Sequence, residues 1–222
     1  WRRRPGRAQR RCAGRGVVVA ADRAAPTGPE DALRMWKSSR QVKPIRLDDR
    51  KRTVSILFLC DNCWRAIYAE KQLARQADTL GVGDRLLVLS AGFDAQPGAK
   101  VPEEIIEEAA RRSIDLSEEK PCAAFNLLED LESYDYIICL DRRIRERMLS
   151  RAETVARQYR VDYTEWESKV RLMRDITGDK SLTKSAWELD ISKFNTSDNE
   201  TVMNDIESAC AELLNAFRDR GL

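Results

Sequence analysis

The sequence predicts an α/β fold, a four-stranded parallel sheet flanked by helices in a flavodoxin-like sandwich, and three observations carry that prediction. Residues 53–59 (Thr-Val-Ser-Ile-Leu-Phe-Leu) form a nearly unbroken apolar and β-branched run, as suits a strand buried on both faces. Directly after it the apolar period changes to three and four, with Ile67, Leu73, Ala74, Ala77 and Leu80 on one helical stripe. Strand-like and helix-like stretches then alternate to the C-terminus, the pattern of parallel strands joined by crossover helices.

The elements follow in order. The first helix covers 65–80 and Gly81 stops it. A second buried strand is expected at 85–90. Pro102 opens a helix reaching about Ser113, with Ile105, Ile106 and Ala109 facing inward. A short helix is expected at 123–131, a third strand at 134–140, a strongly charged helix at 142–159 and a fourth strand at 170–173. The last helix, 198–218, places Val202, Ile206, Ala209, Cys210, Leu213, Leu214 and Phe217 at three- and four-residue intervals. The folded domain is therefore expected over residues 53–222, preceded by an extension over 1–52.

Composition narrows the function. Of 222 residues, 42% are hydrophobic and 34% charged, ordinary for a globular chain with a sizeable core. No apolar run approaches the roughly 18 residues of a membrane span. The net charge of +2 averages unlike regions: residues 1–21 carry Arg2, Arg3, Arg4, Arg7, Arg10, Arg11 and Arg15 and no acid. Such a start reads as an organellar transit segment, with a plastid as the expected destination and the cytoplasm as the alternative. A basic arm that binds an acidic partner or nucleic acid is the other reading of it. Nothing else in the chain points to nucleic acid. The six cysteines are scattered through a chain large enough for its own core, which suggests free thiols and a reducing compartment. There is no histidine, which excludes Ser-His and Cys-His catalysis and His-containing zinc sites, and no cofactor or metal is expected.

The chemistry gathers where the first strand meets the first helix, at Cys60-Asp-Asn-Cys-Trp-Arg65. A loop curling into a helix N-terminus aims backbone N–H groups at one spot, and the helix dipole adds positive potential. That field favours a thiolate at Cys60, while the planar fork of Arg65 matches two oxygens of a tetrahedral anion. Attack by such a thiolate on phosphorus gives a phosphocysteine that water later hydrolyses. Asp61, Asn62, Cys63, Trp64 and Arg65 form the expected phosphate-binding set, and Ligands in open parallel sheets bind beyond the carboxyl ends of the strands, where Cys60 would lie.

From about Thr53 onward the chain resembles the low-molecular-weight protein tyrosine phosphatases and the related arsenate reductases. The resemblance rests on Ile56-Leu-Phe-Leu-Cys60, Asn62, Arg65, Ala69-Glu70, Ser90-Ala-Gly92, Ile114-Asp-Leu-Ser117, Tyr134-Asp-Tyr-Ile-Ile-Cys-Leu-Asp141 and the stretch 206–214, in that order. It implies the phosphotyrosine phosphatase I-like fold, Cys60 as nucleophile, Arg65 as phosphate clamp, Asn62 as a brace of the loop, and an acid from the late Asp190 region. Departures fall in the loop itself. Family members carry Cys-x5-Arg with a loop glycine and a following Ser or Thr; here the loop is one residue shorter, the glycine is absent and Ala66 follows Arg65. Asp61 inside the loop would repel a phosphate dianion by about 1–4 kcal/mol, depending on the local dielectric. Asp190 lacks the proline that would fix an acid loop, and caps or solvates in its alternative reading.

The expectation from these departures is a divergent, catalytically impaired member acting as a structural or partner-bound subunit of a larger assembly, attached through residues 1–52 and the arginine-rich helix 142–159. One alternative is an active phosphatase on a phosphorylated protein or a small phosphate ester, using Cys60, Arg65 and Asp190. Another is thiol redox regulation through the Cys60/Cys63 pair. Tyr159, Tyr163, Trp166 and Trp187 could line an aromatic entrance or belong to core and interface.

Overall fold

Residues 53–96, 98–117, 123–175, 190–192 and 198–219 are described by the structure, a computed structural model. Strand β1 (Val54–Cys60) runs into helix α1 (Trp64–Thr79), and a 3-10 turn (Gly83–Arg85) leads to β2 (Leu86–Gly92). Helices α2 (Glu103–Arg111) and α3 (Leu127–Ser133) precede β3 (Tyr136–Cys139). Then come α4 (Arg142–Tyr159), α5 (Tyr163–Lys169), β4 (Val170–Leu172) and α6 (Asn199–Arg218). The sheet is parallel throughout, in the order β2-β1-β3-β4. β1 is central, so it needs apolar side chains on both faces, and that explains the unbroken run.

The two faces of β1 feed two cores. Ile56, Phe58 and Cys60 point into one with Leu73, Ile105, Ile206 and Leu213; Leu57 and Leu59 point into the other with Ile144, Met148 and Trp166. Helices α1 and α6 pack together on the first face, with α2 against α6. Helices α4 and α5 cover the second, over β3 and β4. Each alternate apolar residue of β1 thus removes surface from water on a different side, at about 25 cal/mol per Å².

Helix ends follow local chemistry. Gly81 takes the left-handed φ of +69 after Leu80, and the Val82 N–H closes on the Ala77 carbonyl at 2.9 Å, which is the stop expected there. Asp141 caps α4 by accepting the Ile144 N–H at 2.9 Å. The second strand begins one residue later than expected and runs on to Gly92. Residues 123–126 are not helical: the Gly92 N–H donates to the Ala123 carbonyl (2.9 Å) and the Phe125 N–H to the Gly92 carbonyl (3.0 Å), so this stretch lies against the end of β2. Helix α5 was not anticipated; Asp162 caps it through the Thr164 N–H at 2.9 Å. Among the described residues no helix is long and apolar enough to cross a membrane. The extension over 1–52 lies outside them.

Candidate active site

Cys60 ends β1 at the carboxyl edge of the sheet, and residues 61–63 turn the chain into α1. The segment just after β2 pins this turn. The Phe93 N–H donates to the Cys60 carbonyl (2.8 Å) and the Asp94 N–H to the Asp61 carbonyl (2.9 Å). Gly92 permits that closeness: a Cβ there would sit 2.8 Å from Ala95 Cβ and 3.1 Å from both the Asp61 carbonyl oxygen and Cys63 Cβ. Cys63, just ahead of α1, adopts a left-handed φ of 80 and ψ of −24. For a residue with a Cβ this conformation is disfavoured by about 1–2 kcal/mol, so the surrounding structure must hold it there.

Part of that restraint is covalent. Cys63 is disulfide-bonded, while Cys60, Cys139 and Cys210 are free. This corrects two expectations. The thiols are not all free, and Cys60 and Cys63 are not joined as a redox pair.

Cys60 has no exposed surface. Burial pushes its thiol up to about 11, Asp61 adds to the rise, and Arg65 with the backbone N–H groups of Ala66 and Cys63 offset part of it. Burial thus favours the thiol over the thiolate here. The loop field that the sequence suggested is present, as Arg65 and the Ala66 and Cys63 amides lower the pKa, and desolvation acts against it and is the larger effect.

Arg65 is 1% exposed and directed into the protein. Nη1 donates to the Ile191 carbonyl. Nη2 donates to Asp141 Oδ2 at 2.8 Å and meets Asp61 Oδ1 at 3.2 Å. Burial works against its charge, yet Cys60, Asp141 and Asp61 together hold it above the ordinary guanidinium range. Asp61 Oδ1 also accepts the Asn62 N–H at 2.9 Å. One carboxylate oxygen thereby bonds a loop amide and the guanidinium together, as an oxygen of a bound phosphate would.

The remaining expected site residues divide. Asn62 is exposed and contributes its backbone N–H to Asp61, so it does not brace the loop through its side chain. Trp64 is half-buried against the first core, with its indole N–H buried and unpartnered. Asp190 Oδ1 accepts the Arg142 N–H at 2.8 Å, and Oδ2 meets Arg142 Nε at 3.4 Å. Its carboxylate thus caps the start of α4, and in this arrangement both oxygens accept rather than donate. Trp166, 2% exposed, belongs to the second core, and Tyr163 packs against it, so neither supplies an aromatic entrance. Trp187 lies outside the described residues.

Sequence reasoning missed the part of Asp141 in this site. It joins Arg65 to the N-terminus of α4, and its position just past β3, at the carboxyl edge shared with Cys60, was the available signal. The Ile191 carbonyl was beyond reach, since no side chain announces it.

Comparison with known proteins agrees with the fold. The family model described as low molecular weight phosphotyrosine protein phosphatase matches residues 55–220. Among solved structures, YfkJ from Bacillus subtilis shares 22% identity, covering 78% of this chain and 99% of its own, with a TM-score of 0.57. A protein tyrosine phosphatase from Entamoeba histolytica, with Hepes in its active site, shares 16% over 77% of this chain and 100% of its own, at 0.60. The low molecular weight protein tyrosine phosphatase of T. tengcongensis shares 17% over 74% and 99%, at 0.58. A search of curated protein sequences finds no match. These structural likenesses show the fold, and the family model goes further: this chain belongs to the low molecular weight phosphotyrosine protein phosphatase family.

Proposed function

We propose that this chain is a self-occupied member of its family, one that hydrolyses phosphate esters poorly and serves as a partner-bound subunit. The observation that carries the reading is Asp61, whose carboxylate holds the Asn62 N–H and the Arg65 guanidinium that a phosphate would need. A dianion entering here meets two carboxylates around one buried guanidinium, and a sulfur that is a thiol at neutral pH. Repulsion from Asp61 alone amounts to about 1–4 kcal/mol at contact distance. The arginine-rich residues 1–21 support a plastid as its location.

A second reading, an active phosphatase acting on phosphotyrosine or a small phosphate ester, is favoured by what survives: Cys60 beside Arg65, with the Ala66 and Cys63 amides directed at the sulfur. Hydrolysis of an aryl phosphate by the purified full chain decides between them. Turnover should fall at least about 100-fold below that of an active family phosphatase assayed in parallel, equivalent to about 3 kcal/mol of lost transition-state stabilisation. Comparable turnover that disappears in Cys60→Ser overturns the self-occupied reading.

A further inference from the structure

Helix α4 carries a row of like charges that the fold leaves mostly unanswered. Arg143, Arg147 and Arg151 stand four residues apart, so they share one stripe of the helix, beside the buried stripe of Ile144, Met148 and Ala152. Like charges at this spacing repel, and a helix gains nothing from them on its own. Arg147 is answered by Asp94, with Nη1 to Oδ2 at 2.6 Å and Nη2 to Oδ1 at 2.9 Å. Arg143 and Arg151 are exposed and have no hydrogen bond or ion pair among the described residues. The acids of α4 lie off the stripe: Glu153 pairs with Arg157 at 2.6 Å, and Glu146 makes no ion pair with any of the three among the described residues.

The row is also held in place. The Arg147 and Arg151 guanidinium carbons lie 4.5 and 4.9 Å from the centroid of the Phe93 ring, and Phe93 stacks on Phe125 with centroids 5.9 Å apart. Cation–π contact restrains two long side chains whose ordering would otherwise oppose binding. Phe93 is anchored in turn, because its N–H donates to the Cys60 carbonyl at 2.8 Å. The arginines therefore form a preorganised cationic face beside the residues that brace the anion loop.

Charge decides what such a face can hold. Residues 1–52 contain 16 Lys and Arg against 5 Asp and Glu, so this face repels them. Residues 118–122, 176–189 and 193–197 together contain 4 acids and 4 lysines and bring no net negative charge. Residues 53–222 contain 32 Asp and Glu against 23 Lys and Arg, so a long polyanion such as nucleic acid meets repulsion from the rest of the domain. We propose that the face of Arg143, Arg147 and Arg151 docks a short acidic segment of a partner protein, with its carboxylates on Arg143 and Arg151. Those two positions are about 12 Å apart along the helix, which matches two acids three or four residues apart in an extended segment. Such docking rests on the partner-bound reading but not on a closed anion loop, so acidic-peptide binding and aryl phosphate hydrolysis fail or succeed independently.

A labelled peptide of about 12 residues, with glutamates three and four positions apart on an Ala and Ser background, tests this by fluorescence anisotropy with the full chain. Wild type should bind it, less tightly as salt is raised, and should not bind the same peptide with Gln in place of Glu. Arg143→Gln combined with Arg151→Gln, both at exposed positions, should weaken binding at least about 10-fold without lowering the thermal melt. Equal binding by wild type and double variant assigns the peptide to the basic residues 1–52, which the variant retains, and overturns the proposal. A wild type that binds no acidic peptide overturns it too. Tighter binding of single-stranded DNA of the same length, lost in the double variant, overturns it in favour of nucleic acid. Self-association in sedimentation, lost in that variant, overturns it in favour of a second copy.

Discussion

Cys60 and Asp61 are neighbours with opposed effects on one site. The sulfur sits at the end of a buried strand, where burial disfavours its charged form, and the adjacent carboxylate raises its pKa further while drawing Arg65 to itself. An ionised carboxylate in contact with a guanidinium and an amide is a ready substitute for an oxyanion. Two expectations belong at this scale. Alkylation of Cys60 by iodoacetamide, followed by mass spectrometry, should be negligible at pH 7 and should rise toward pH 11; rapid labelling below pH 7 would show a thiolate and a more open loop. The same shift bears on stability. Because the folded pKa of about 11 lies above the reference value of 9.0, the contribution of Cys60 is fully present below pH 9 and is lost as pH rises toward 11. The change is about 3 kcal/mol at two pKa units, and urea melts at pH 8, 10 and 11 should show it.

At the scale of elements, the loop is held by what crosses it. Gly92 lets β2 approach the turn after β1, so Gly92→Ala should push Cys63, Ala95 and the Asp61 carbonyl apart and destabilise by about 1–3 kcal/mol, measurable by urea melts. Asp141 ties α1 to α4 by bonding Arg65 and capping the helix at once. Asp141→Ala should cost about 3–5 kcal/mol, because it leaves a buried guanidinium short of a partner and a helix start uncapped. An unchanged unfolding midpoint in either variant would mean that the loop relaxes more easily than its contacts suggest. Element types were readable from the sequence where the pattern was long. The run before Cys60 and the stripes of α1 and α6 needed no tertiary information, since burial on two faces or on one leaves a period behind. Short elements were not readable in the same way. Residues 123–126 were expected to be helical, but their backbone is drawn into bonds with Gly92, and α5 is only seven residues long, organised by its Asp162 cap and by the burial of Trp166.

At the scale of the molecule, the described residues carry the four-stranded parallel frame of the family. The alternation of strands and helices in the sequence pointed to parallel strands joined by crossovers, while their order, β2-β1-β3-β4, comes from the structure. The site was legible as a set of residues: Cys60, Asp61 and Arg65 do come together at the carboxyl edge of the sheet. Their relations were less so. That Arg65 would be directed inward to Asp141 and the Ile191 carbonyl, that Asp190 would cap α4, and that Cys63 would carry a disulfide all depend on residues far apart in sequence, which spacing cannot encode. Isothermal titration of vanadate into the full chain and into Asp61→Gly addresses the occupied loop most directly. Wild type should take up no vanadate at millimolar concentration, and Asp61→Gly should gain measurable binding. Micromolar binding by the wild type, lost in Cys60→Ser, would mean that the loop is open to anions and that Asp61 does not close it.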